Sequence, residues 1–109
     1  MKYCACILAL VFSFSALAGW TDGHSLLKAL EGQEIDDIGY RSGYFDGYVA
    51  GVSDLSVDIL WCPPQNVNNG QMSKIVANYL KTHPESLHKN ADSLVVDALK
   101  SPFPCKKNN

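Results

Sequence analysis

Apolar positions along the chain recur at helical spacing, and no stretch of useful length alternates with the period of two that marks a strand. The cleanest stripe is Met72, Ile75, Val76, Tyr79 and Leu80, at i, i+3, i+4, i+7 and i+8. It predicts a helix that stops at Thr82-His83-Pro84. Thr82 and Glu85 have capping-box spacing, which predicts that a further helix starts at once. That helix carries Leu87, Ala91, Leu94, Val95, Ala98 and Leu99 and ends before Pro102. Upstream, Leu26, Leu27 and Leu30 share one side of a first helix from about Asp22 to Leu30, with Thr21 or Asp22 as N-cap and Gly32 as the stop. A second, longer helix is expected from about Ile35 to Ile59, ended by Trp61-Cys62-Pro63-Pro64, because two prolines cannot continue a helix. The polar run Gln65 to Gly70 connects it to the third. Short helices with tight connections predict an all-α fold, a compact bundle of about four helices.

The second helix carries an oddity. In GYRSGYFDGYVAGVSD, glycine recurs every fourth residue at Gly39, Gly43, Gly47 and Gly51. Each interior glycine costs a helix about 1 kcal/mol relative to alanine, so a compensating contact is expected. A row without Cβ atoms lets another backbone approach closely, with Tyr44 and Tyr48 as a ridge beside the groove. Membrane helices use the same small-xxx-small spacing, but Arg41, Asp46 and Asp54 exclude a lipid-facing helix here. Two partners stay open: another helix of the same bundle, or a second copy of the chain.

The first residues change the picture of where the protein works. MKYCACILALVFSFSALA has one cation, Lys2, an apolar run and then Ala16-Leu17-Ala18, the order of a secretory signal peptide. The run from Tyr3 to Ala18 is about 16 residues, short of the roughly 20 that span a bilayer. Residues 1–18 are therefore expected to be removed, leaving one domain over residues 19–109, exported to a bacterial periplasm and free of the membrane. Cys4 and Cys6 leave with the signal, and Cys62 and Cys105 remain. Two cysteines in an exported chain read as one disulfide. The rival is a metal site using His83 and His88, but the cysteines form no Cys-x-x-Cys half-site, and the disulfide is the expectation kept. Without Lys2 the formal charge is about −3, and no basic run could follow a phosphate backbone, which argues against nucleic acid.

Candidate chemistry is thin. The chain has no Gly-x-Ser-x-Gly elbow, His-Glu-x-x-His pair or phosphate-cradling glycine loop. His24, His83 and His88 are expected in loops or on helix surfaces, and Asp36-Asp37 and Asp54/Asp58 read as a helix-terminal pair and a solvated face. The expectation is a protein that binds rather than catalyses, with no cofactor.

The order of features is more telling than any one of them. Leu26-Leu27 is followed by Gly47-Tyr48-Val49-Ala50-Gly51-Val52-Ser53-Asp54, then Cys62-Pro63, then Tyr79-Leu80, His83-Pro84-Glu85 and Phe103-Pro104-Cys105. In this order the chain resembles the Rap/Tai family of type VI secretion immunity proteins, over essentially all of its expected mature length. The resemblance implies a small disulfide-bonded all-α periplasmic protein, often a homodimer, that blocks a peptidoglycan amidase effector by occluding its cleft. One departure stands out. Many members carry a second cysteine pair, and Leu30 and Phe45 occupy the corresponding positions here, which implies a packed apolar pair in its place.

For an inhibitor of that kind, the loop Gln65, Asn66, Val67, Asn68 and Asn69 beside Cys62 is the expected inserting element, because its amides can meet a polar cleft at little cost to the core. An ordinary helix connection is the alternative for these residues, and the turn Thr82 to Glu85 is the second candidate surface. Readings from other classes are a small acid-activated periplasmic chaperone of the HdeA type or an envelope adaptor. The chaperone would bind many clients weakly, whereas an immunity protein binds one partner stoichiometrically.

Overall fold

The computed structural model describes residues 20–35 and 40–106. The expected signal segment and Gly39 lie outside the described residues. Four α-helices follow one another, α1 (Gly23–Ile35), α2 (Tyr40–Ser56), α3 (Asn69–Thr82) and α4 (Ala91–Lys100), with a single 3-10 turn at Pro84–Ser86 between the last two. Among the described residues there is no strand, only isolated bridges between Asp22 and Asn90 and between Val57 and Trp61. The all-α bundle is the architecture that the periodicity predicts.

The apolar stripes converge on one core. Leu26 and Leu30 of α1, Phe45 and Val49 of α2, and Met72, Val76 and Leu80 of α3 are buried together with Ala91, Leu94, Val95, Ala98 and Leu99 of α4. Trp61 and Leu87, both from connections, close the ends. Helix α2 touches the other three. The two serines on its buried side are satisfied locally, Ser53 Oγ donating to the Val49 carbonyl (2.6 Å) and Ser56 Oγ to that of Val52 (2.6 Å), so neither leaves an orphaned polar group. Leu30 and Phe45 both lie in this core.

Three boundaries differ from the sequence expectation, each for a physical reason. Helix α1 runs through Gly32 to Ile35, because one glycine weakens a helix without ending it. Its start is set by Asp22, whose Oδ1 accepts from the Ser25 N–H at 2.9 Å. Helix α2 stops at Ser56, well before the prolines. Asp58 takes a left-handed conformation (φ 64°) and its N–H donates to the Trp61 carbonyl at 2.8 Å, which turns the Trp61 ring into the core. The indole Nε1 then donates to Ser56 Oγ at 3.0 Å. The capping box expected at Thr82 and Glu85 does not form: the Thr82 hydroxyl donates back to the Asn78 carbonyl (2.8 Å), and α4 begins only at Ala91.

The disulfide is present, joining Cys62 to Cys105 with Cα atoms 4.7 Å apart. Around it the Cys62 N–H donates to the Phe103 carbonyl at 2.8 Å, and the Trp61 and Phe103 rings lie 6.2 Å apart. The tail is thereby fixed against the α2–α3 connection. At the opposite end, Gly23 N–H donates to Lys89 (2.9 Å) and His24 N–H to Leu87 (3.0 Å), seating α1 on the turn before α4.

Candidate partner-binding surface

The loop Gln65 to Asn69 leaves the disulfide through Pro63 and Pro64 and re-enters the fold at α3. Asn66 has a left-handed backbone (φ 78°), a conformation asparagine tolerates better than most residues. Val67 is half-buried and packs against the core, which holds the loop from beneath. Asn68 is the N-cap of α3: its Oδ1 accepts from the Gln71 N–H (2.9 Å) and its own N–H donates to Gln71 Oε1 (2.9 Å). A capping box therefore exists, but here and not at Thr82. It commits the Asn68 side-chain oxygen, and Asn69 forms the first turn of α3. The side-chain amides of Gln65, Asn66 and Asn69 are exposed.

At the other end of α3, His83 follows the last helical residue. Its Nδ1 lies 2.8 Å from the Tyr79 carbonyl oxygen; a carbonyl can only accept, so Nδ1 is the donor in this contact. The imidazole stacks on the Tyr79 ring, centroids 3.9 Å apart and planes within 15°. Burial, with Asp97 and Glu85 nearby, raises the Tyr79 phenol above its usual pKa. Tyr79 and His83 line a shallow cleft of about 300 Å³ with Ile75, Ala98 and Pro102. His24 and His88 are exposed. Among the described residues no group of three or more His, Cys, Asp or Glu could hold a metal ion.

The described part of the glycine row proves to be an outer face. Gly43, Gly47 and Gly51 are exposed, and a Cβ added at any of them meets nothing within 4 Å. The bundle reading of these three glycines is thus overturned: Phe45, Val49, Ser53 and Ser56 form the core side of α2, and the glycines lie opposite. The tyrosines flank that face. Tyr44 and Tyr48 stack with centroids 6.4 Å apart, Tyr44 shares a hydrogen bond with Thr21 Oγ1 (3.3 Å), and Tyr48 packs partly against the core. Burial and the Asp92 carboxylate push the Tyr48 phenol above its ordinary pKa.

Sequence reading missed two things. The glycine that does permit close approach is Gly23, where a Cβ would lie 2.7 Å from the Leu87 carbonyl oxygen and 2.8 Å from its Cα. Leu55, Ile59 and Leu60 are exposed large apolar residues. For Leu55 a signal existed, since it stands four residues beyond Gly51 and so falls off the core side of α2.

The family model for Rap1a immunity proteins matches residues 22–105. The match spans all four helices and both bonded cysteines. No curated protein matches the chain.

Proposed function

The chain belongs to the Rap1a immunity protein family, and from that premise we propose that it is a periplasmic immunity protein. In this reading residues 1–18 are a signal peptide, and the remaining domain binds a peptidoglycan amidase delivered by a type VI secretion system. It protects the cell by occluding the amidase cleft, acting by binding and not by catalysis. The family match across 22–105 is the observation that carries the reading.

The inserting element is the loop from Gln65 to Asn69. Its support is geometric: exposed amides on a segment held by the Cys62–Cys105 bridge at one end and the Asn68–Gln71 capping box at the other. A pre-held loop loses little conformational freedom on binding, which favours tight occlusion. The protein also self-associates, with the open face of Gly43, Gly47 and Gly51 as the contact, since no group among the described residues fills that face.

The deciding experiment co-expresses the protein, exported to the periplasm, with the amidase encoded beside its gene. Survival of the co-expressing cells is expected, and exchange of Gln65, Asn66 and Asn69 for lysine should abolish protection. Continued lysis with the wild-type protein overturns the immunity reading. Gel filtration at micromolar concentration tests the self-association, where a monomer peak overturns the glycine contact.

A further inference from the structure

The end of α2 departs from what a monomeric surface requires. Leu55 is 83% exposed and Ile59 73%, with Leu60 half-exposed beside them. Leu55 and Leu60 border a groove of about 420 Å³ between α2 and α4, together with Val52, Ser56, Ser93 and Val96. Its remaining lining residues are Asp92 and Asp97, and Asp54 and Asp58 are exposed on the same end of α2. Among the described residues no basic side chain lines it.

The turn that presents these residues is held rigidly. Asp58 sits in the left-handed region, and the N–H groups of Ile59 and Leu60 both donate to the Ser56 carbonyl, at 3.1 and 2.9 Å. The buried Trp61 and the disulfide follow directly. None of these constraints requires isoleucine or leucine at the tip, where polar residues would be hydrated at no cost. Clustered apolar side chains held out on a rigid support mark an interaction surface.

The geometry points to a docking site for the toxin partner, one that receives an apolar side chain flanked by lysine or arginine; this rests on the immunity reading above. A small molecule could fill the groove but would leave Leu55 and Ile59 in water, whereas a protein surface covers both. A second copy related by a two-fold axis would bring Asp92 and Asp97 toward their own kind, and like charges juxtaposed in an interface cost several kcal/mol. An anionic bilayer is repelled by the same carboxylates. Leu60 and Gln65 are five positions apart, a reach of at most ~18 Å, which is within the span of a single interface. The partner is therefore held at two neighbouring places, with the loop filling the cleft and the apolar groove anchoring it.

The test titrates the full mature protein into the catalytically inactivated amidase encoded beside its gene. Leu55→Asp and Ile59→Asp should each weaken binding at least ~30-fold, the threshold of an interface hot spot. Both residues are exposed, so their melting curves should match wild type. The double variant Asp92→Lys/Asp97→Lys should slow association and remove much of its salt dependence. Unchanged affinity in the leucine and isoleucine variants overturns the docking site while leaving the immunity reading intact. Absence of wild-type binding overturns both. Loss of self-association in place of amidase binding assigns the face to a second copy and also overturns the proposal.

Discussion

Gly23 and Gly47 are both helical glycines, yet the fold asks opposite things of them. Gly23 lies against the side-chain end of Leu94 and the backbone of Leu87, and that backbone cannot yield. Gly47 faces open space. Gly23→Ala should therefore lower stability by about 1–3 kcal/mol through overpacking, while Gly47→Ala should raise it by up to about 1 kcal/mol through helix propensity alone. Denaturant titration of the two variants checks the pair, and equal effects would contradict the packing described here. Gly43, Gly47 and Gly51 each weaken α2, and no described residue closes on the space a Cβ would take at any of them.

At the scale of the element, helix ends are decided by which polar side chain wins the orphan N–H groups. In α1 the winner is Asp22. The Ser25 backbone N–H, followed by the Ser25 hydroxyl, holds its carboxyl below the usual carboxylate pKa. A pKa lowered in the folded state means that the cap's contribution is complete above the ordinary carboxylate range and is lost as pH falls through the lowered value. Asparagine caps about as well as aspartate but does not titrate. Asp22→Asn should thus melt close to wild type at neutral pH and above it in acid, below the ordinary carboxylate range, as followed by circular dichroism. Parallel melting profiles at all pH values would remove the cap from the acid response. The stripes of α3 and α4 were readable because buried positions repeat with the helix. The starts of those two helices were harder to read, because Asn68/Gln71 and Thr82/Glu85 are equally plausible boxes locally. Tertiary placement chose between them: Pro84 opens a separate turn that carries Leu87 into the core. The exposed Ile59 and Leu60 were hidden by the same limit, since a helix drawn to Ile59 conceals the left-handed turn at Asp58.

For the whole molecule the decisive restraint is the bridge that spans 43 positions from Cys62 to Cys105. Cross-linking a loop of that length removes unfolded-state entropy worth roughly 4 kcal/mol, set against a total of only about 5–15 kcal/mol for an ordinary domain. The folded side depends on it less. The Cys62–Phe103 hydrogen bond and the Trp61–Phe103 ring contact stay available without the covalent bond. Cys62→Ala/Cys105→Ala should accordingly lose about 4 kcal/mol in denaturant titration while keeping the helical spectrum of the oxidised protein at room temperature. A loss under about 1 kcal/mol would mean that the tail already confines the unfolded chain or that the bridge is strained. Collapse of the helical signal would mean that the noncovalent contacts cannot hold the tail alone. The same variant bears on binding, because the bridge lies between the turn carrying Ile59 and Leu60 and the loop from Gln65 to Asn69. On the proposed immunity reading, in which the bridge keeps those two segments in fixed register, affinity for the toxin partner should fall even below the melting transition, where the helices remain formed.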